Sequence, residues 1–345
     1  EIINSISSFL ENTLGKGVVH AKDTPNFIAN RIGVYGMMVT LDEAYKRKIS
    51  IENVDALTGT IIGRPKSATF RTADIVGLDT MKFVAETAYN KCLNDPEREI
   101  FKLPEYLLKM IDNGWLGQKT KQGFYKKRDK KVIHSINMQT LEYQPMEKKR
   151  YAAFTLAKEK SHLKDRLHTI VRSNDVAGDF LWNVMSRSLL YAANSIGEIA
   201  DDIVSIDNAL KWGFGWELGP FEVLDAIGLE YFIERLELEG KTVTPWLRDM
   251  VTTGFTCMYV LLNGKKEYYS IDKKDYLPLK YQDKEIYFNI LKSKNKVIKK
   301  GWSASLVDLD DGVASIELHS VLKPEFNPID GSMMEMLDYA STWIT

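Results

Sequence analysis

The stretch Gly213–Glu230, GFGWELGPFEVLDAIGLE, sets three glycines, Gly213, Gly215 and Gly219, close to the spacing of a dinucleotide-binding loop. Such a loop needs a hydrophobic strand leading in and a helix starting at the glycines, so that free amide groups meet the pyrophosphate. Here SIDNALKW precedes the glycines with a helical pattern, and Trp216 fills a position where a phosphate needs close approach. The glycines therefore read as helix punctuation. Gly215 ends one helix, Pro220 lies in the first turn of the next, and Gly228 ends that one. The other candidate, GKGVVH (15–20), lacks the third glycine, so no Rossmann fingerprint is read in the chain.

The same punctuation occurs earlier. FIAN (27–30) resembles FLWN (180–183), VDALTGTIIG (54–63) resembles IDNALKWGFG (206–215), and FRTADIVGLD (70–79) resembles FEVLDAIGLE (221–230). The shifts are 153, 152 and 151 residues (180 − 27, 206 − 54, 221 − 70). Three ordered blocks at a nearly constant shift predict two copies of one helical domain. In the first copy only Gly63 survives from the glycine set, as a helix-ending residue would and a cofactor loop would not.

Outward from these blocks the chain reads as mostly helical. Residues 1–14 read as an amphipathic helix and GVVHA (17–21) as a strand. Thr24 and Pro25 read as the start of a helix with an apolar stripe at Ile28, Ile32, Tyr35 and Val39. Helices are expected from about residue 50, over 68–76, 80–93 and 99–113, and again across 152–238. Residues 113–127 read as a loop with a short strand, and the polar run that follows as a linker. Hairpins are expected around Asn263-Gly264 and Asp311-Gly312, then a last helix over 330–340.

Composition narrows the class. The 345 residues carry 46 basic and 47 acidic side chains, so no global field favours nucleic acid or an anionic membrane. Two cysteines, Cys92 and Cys257, exclude a disulfide framework and fit a reducing, cytoplasmic setting. The apolar runs are too short to span a bilayer, and the N-terminus lacks the pattern of a signal peptide. The absence of an initial methionine suggests a piece of a longer protein.

VVHAKDTPNFIANRI, FRTADIVGLDT and GQKTKQGFYKK in the first copy, with GFGWELGPFEVLDAIGL in the second, resemble the C-terminal domain of the 3-hydroxyacyl-CoA dehydrogenase family. SASLVDLDDGVASIELHS (303–320) resembles the opening strands of a crotonase domain, as in multifunctional fatty-acid oxidation proteins. The resemblance implies NAD-dependent oxidation of a 3-hydroxyacyl-CoA to a 3-ketoacyl-CoA. It also implies a fold of two repeated helical domains packed as a pseudo-dimer, with short β hairpins toward the C-terminus. The expected divisions are 1–21, the end of a Rossmann domain; 22–130, the first helical domain; 131–150, a linker; 151–247, the second repeat; 248–302, a connecting hairpin region; and 303–345, the start of a crotonase-like domain.

In that family a Rossmann domain carries the catalytic His–Glu pair and most of the NAD site. No catalytic residue is therefore expected here, and His20, His134, His162, His168 and His319 read as exposed or satisfied. Asn30 matches the family's substrate-contacting asparagine, although from the residues alone it reads more readily as bonded to a neighbouring helix. Arg31 reads as an ion-pair residue. Lys119 matches a cofactor-contacting lysine, against a solvated loop lysine, while Phe124 and Tyr125 read as loop anchors. Asp55, Asp207, Phe70, Phe221, Asp74 and Asp225 read as repeat scaffold, and no metal site is expected. The second copy keeps Asn183, has Val184 for the arginine, and shows no loop like the one around Lys119. The expected partners are an acyl-CoA, the Rossmann domain and the crotonase-like domain. The competing reading is a non-catalytic scaffold; another dehydrogenase with an all-helical C-terminal domain is opposed by the doubled GLD/GLE motif.

Overall fold

The computed structural model describes residues 1–129, 132–262, 265–280, 286–321 and 326–344. The described chain divides into two compact units, one holding residues 1–258 and 269–275, the other 259–268 and 276–345. The first unit begins with α1 (Ile2–Asn12), α2 (Ala29–Lys46), α3 (Ile51–Thr58), α4 (Phe70–Val76), α5 (Leu78–Lys91) and α6 (Glu105–Asp112). Three strands follow, β1 (Tyr125–Asp129), β2 (Val132–Ile136) and β3 (Tyr143–Pro145). Seven helices complete it: α7 (Ala152–Lys158), α8 (Leu163–Val171), α9 (Val176–Asn194), α10 (Ile203–Phe214), α11 (Pro220–Ile227), α12 (Leu229–Leu238) and α13 (Pro245–Thr252).

The second unit holds β4 (Tyr259–Leu262), most of β5 (Lys265–Ser270) and β6 (Asp275–Pro278), α14 (Phe288–Ser293), β7 (Val297–Lys300), β8 (Ala304–Asp308), β9 (Ala314–Leu318) and α15 (Gly331–Ile344). In it β8 is the middle strand of β7-β8-β9. Ala304, Leu306, Met333, Met336 and Ala340 form its core between that sheet and α15. The pairing of Asp308 with Ala314 leaves Asp311 and Gly312 in the expected turn. The other expected turn, Asn263-Gly264, lies outside the described residues, but Leu262 and Lys265 are paired on either side of it.

Three local readings are corrected. GVVHA forms no strand. The next residue is held outside any ladder: Lys22 N donates to Ile199 O at 3.2 Å and Lys22 Nζ to Gly197 O at 2.6 Å. The polar run read as a linker carries β2 and β3, which extend β1 into an antiparallel sheet with Tyr125 opposite Ser135 and Ser135 opposite Gln144. Strands are thus not confined to the region toward the C-terminus. Helix α2 starts at Ala29, four residues after Pro25, because Asn26 and Phe27 take left-handed φ angles of 66° and 49°.

The core of the first unit is organised by four buried or half-buried aspartates. Asp55 on α3 accepts hydrogen bonds from the amides of Thr69, Phe70 and Arg71 at 3.1, 2.7 and 3.0 Å, so it closes the start of α4. Asp207 on α10 does the same for α11, accepting from Phe221 N at 2.8 Å and Glu222 N at 3.2 Å. Each satisfies amides that a helix leaves unpaired at its N-terminus. Asp74 on α4 takes the amides of Phe124 and Tyr125 at 2.8 and 2.9 Å, and Asp225 on α11 takes that of Met258 at 2.6 Å. Burial pushes Asp55 and Asp74 up to about 6 despite these bonds.

The glycines of the opening stretch have their explanation here. Gly215 closes α10 in a left-handed conformation (φ 66°), as Gly63 closes the short turn after α3 (φ 72°). Gly219 is needed for another reason: a Cβ there would overlap the backbone and side chain of Asp207. Gly219→Ala should therefore cost more than about 2 kcal/mol, in the upper part of the range for overpacked cores, since Asp207 must leave its amides. Urea unfolding measures it, and a cost below about 0.5 kcal/mol would show that the approach is not tight.

Candidate substrate-facing site

Two helices position the residues of interest. Helix α2 packs along α9, with Tyr35 and Tyr191 stacked at 3.8 Å and 3°. Gly36 and Gly33 keep α2 slim on the packed side, where a Cβ at Gly36 would lie 3.3 Å from Ser188 Oγ and one at Gly33 would enter the Phe214 ring. The loop before α2 is tied to α5 by Asn26 Nδ2, which donates to Val84 O at 2.9 Å. This tie and the two left-handed residues delay the helix. Thr24 Oγ1 is left buried without a partner instead of capping it.

Asn30 emerges in the first turn of α2. It is exposed, and its side chain makes no hydrogen bond to any described residue. Asn183, by contrast, is engaged within its own helix and by the loop after α12. That side chain donates to Asp179 O at 2.8 Å and lies 3.5 Å from Lys241 Nζ.

Arg31, next to Asn30, points the other way and is 1% exposed. Its Nη2 meets Asp95 Oδ2 at 2.6 Å and Glu198 Oε1 at 3.3 Å, while Nε donates to Tyr191 Oη and Nη1 to Cys92 Sγ. Asp95 also accepts from Tyr191 Oη at 2.6 Å and from Glu97 N at 2.9 Å. Arg31 is thus an ion-pair residue as expected, but a buried one. Burial opposes its charge, and the bonds to Tyr191, Cys92 and Asp95 outweigh that and raise its pKa. Burial also raises the Cys92 thiol, against the pull of Arg31.

Lys119 sits in a short turn, Gln118–Thr120, and its ammonium donates to both carboxylate oxygens of Asp79. That bond holds the Asp79 carboxyl below its ordinary range. Asp79 lies in the first turn of α5. Asp79 and the Val84 anchor of the α2 loop stand five residues apart on one helix, about 7.5 Å along its axis. Phe83 is one turn from Asp79 and 67% exposed. Phe27, Ile75 and Val76 are exposed as well. In the second stretch Thr253 stands five residues before Met258, where Lys119 stands before Phe124, so no cation is carried there.

Phe124 and Tyr125 are anchors. Phe124 is fully buried against Phe70 at 4.6 Å, and Tyr125 Oη donates to Asp55 at 2.8 Å. One histidine departs from expectation: His134 is buried on β2 with Nδ1 unpartnered. Sequence reasoning missed Asp79, although GLDT had been singled out, and missed Asp95, Tyr191 and Glu198, which lie 64 to 167 residues from Arg31 and carry no local signal.

Residues 27–127 match the family model described as 3-hydroxyacyl-CoA dehydrogenase, C-terminal domain. A Bacillus subtilis protein named probable 3-hydroxyacyl-CoA dehydrogenase is 48% identical over 320 residues, covering 93% of this chain and 40% of that protein. A Rickettsia prowazekii protein bearing the name of a fatty acid oxidation complex trifunctional enzyme is 25% identical over 314 residues, covering 89% of this chain and 39% of its own. The rat mitochondrial hydroxyacyl-coenzyme A dehydrogenase is 35% identical over 114 residues, 33% of this chain and 35% of its own. The chain spans 40% or less of the length of these relatives. No helix among the described residues is long and apolar enough to cross a membrane.

Proposed function

We propose that this chain is the substrate-side helical part of an NAD-dependent 3-hydroxyacyl-CoA dehydrogenase of fatty-acid β-oxidation. The carrying observation is Asn30, an exposed amide without a partner at the start of α2, inside the stretch that matches the dehydrogenase C-terminal domain. A neutral amide there hydrogen-bonds the 3-oxygen of an acyl-CoA and holds it in place without competing for its proton. The exposed apolar side chains of Phe27 and Phe83 suit an acyl chain beside it.

The described residues do not fit a dinucleotide cradle. The glycines end helices or admit Asp207, and the Lys119 ammonium is held by Asp79. Lys119 offers the cofactor at most an edge contact, so NAD and the catalytic His–Glu pair are assigned to a Rossmann domain outside this chain. The parent is read as a cytoplasmic multifunctional protein with a crotonase-like domain beginning near residue 303.

The two helical stretches are read as copies packed as an internal pseudo-dimer. Supporting this are the matched roles of Asp55 and Asp207, of Asp74 and Asp225, and the stacking of α2 on α9. The engaged Asn183 and the Thr253 in place of a cation favour a scaffold role for the second copy.

The test is to follow NADH absorbance with acetoacetyl-CoA, with and without a separately made NAD-binding Rossmann domain of a 3-hydroxyacyl-CoA dehydrogenase. Silence from the chain alone and turnover on mixing is the expected result. Turnover by the chain alone would overturn the assignment of the nucleotide site. Stable association of the two pieces without turnover would favour the scaffold reading.

A further inference from the structure

Asn30 and Arg31 are neighbours in one helical turn that face opposite ways, one into solvent and one into a buried polar cluster. The first turn of α2 is held by the buried Ile28 and Ile32 and by the Asn26 tie, but it lacks a side-chain cap. Neither Ile28 nor the residues before it cap the helix with a side-chain bond, and the preceding loop holds two residues in left-handed conformations. The Arg31 guanidinium supplies what is missing. Its side chain reaches the segment after α5 through Cys92 and Asp95, and α9 and the loop after it through Tyr191 and Glu198. Tyr191 is the hinge of this set: its hydroxyl accepts from Arg31 Nε and donates to Asp95 Oδ2 at 2.6 Å, while its ring lies on Tyr35. One phenol thus locks the guanidinium, its carboxylate partner and the next turn of α2 at the same time.

We infer that Tyr191, acting through Arg31 and Asp95, is a positioning group for Asn30, fixing the first turn of α2 so that the exposed amide is presented in one direction. The inference rests on the reading that Asn30 meets the substrate. It gives the second helical stretch a part in the site without placing any of its residues on the acyl-CoA. A planar guanidinium held through three nitrogens by four partners defines an orientation that a single-point lysine contact would not.

Hydrogen exchange on the 345-residue chain, read by mass spectrometry, tests it without substrate. Tyr191→Phe keeps the ring on Tyr35 and removes only the hydroxyl. Exchange in the segment around 27–35 should accelerate at least tenfold, while segments around Asp55 and Phe70 stay within twofold. Arg31→Lys should accelerate the same segment. Glu198→Gln, at the 54%-exposed rim, should change it little. No acceleration in Tyr191→Phe, or a uniform acceleration across the chain, would overturn the inference, the second because it marks a merely structural role. Asn30→Ala should leave exchange unchanged. Its effect in the mixed acetoacetyl-CoA assay judges the substrate reading separately, so the two ideas fail on different measurements. If Asn30 matters for turnover, Tyr191→Phe should lower kcat with KM nearly constant, and the double variant should lose little beyond Asn30→Ala.

Discussion

Replacing Arg31 by alanine should destabilise the first unit by about 3–5 kcal/mol, the usual cost of removing one partner of a buried ion pair. The loss comes chiefly from what stays behind. Asp95, with a side chain 2% exposed, would lose its cation and keep the bonds from Tyr191 and a backbone amide. Cys92 would face a void in place of a guanidinium. A buried carboxylate without a cation is costly in a medium that screens poorly. Urea unfolding followed by circular dichroism gives the value. Restoring neutrality with Asp95→Asn in the same chain should recover part of it, because the charge rather than the cavity is then relieved. A loss below about 1 kcal/mol would place Arg31 with the exposed pairs, such as Lys109 with Glu105, that contribute little.

Replacing Asn30 by alanine should do the opposite: little to stability, much to turnover. The side chain is exposed and unbonded, so the unfolding free energy should stay within about 0.5 kcal/mol. In the mixed assay kcat/KM for acetoacetyl-CoA should fall by about 10²-fold, the size seen when one polarising donor is removed from a reacting oxygen. Asn183→Ala is the control. Its amide is bonded within its own helix and near Lys241, so it should leave turnover unchanged. Equal effects of the two substitutions would sink the substrate reading of Asn30.

What could be read from the residues was mostly what depends on local backbone constraint. Gly215 and Gly63 need left-handed φ angles, and Pro220 fits the first turn of a helix, so the opening stretch could be told from a phosphate cradle. The paired aspartates were legible because buried carboxylates that hold amides tolerate few replacements. The strands after Asp129 were missed: VIHSI (132–136) carries β-branched residues, but the charged residues on either side and the shortness of YQP (143–145) made the run read as a linker, and pairing with β1 decides the matter. Nor was the bond from Met258 to Asp225, since a backbone amide leaves no trace in side-chain identity. The late start of α2 escaped for a related reason. Thr24 and Pro25 have the chemistry of a helix start, but Asn26 is held by a carbonyl on α5 that no neighbouring residue announces. For Asn30 the sequence supplied the position, and only the structure shows that its amide is unengaged.

The stacking of Tyr35 on Tyr191 joins two surfaces that belong to one polypeptide. A tether of this kind replaces a bimolecular encounter by an effective local concentration, commonly millimolar for short links, which dilution cannot lower. It also frees the two sides from being identical. In an association of like subunits every substitution is made twice, once on each face. On the proposed reading of two copies, Asn183 is held by internal bonds and Thr253 stands where the first copy has Lys119, while Asn30 is exposed. On that reading, covalent linkage would let one half serve as a template and leave the other half to meet what comes from solution.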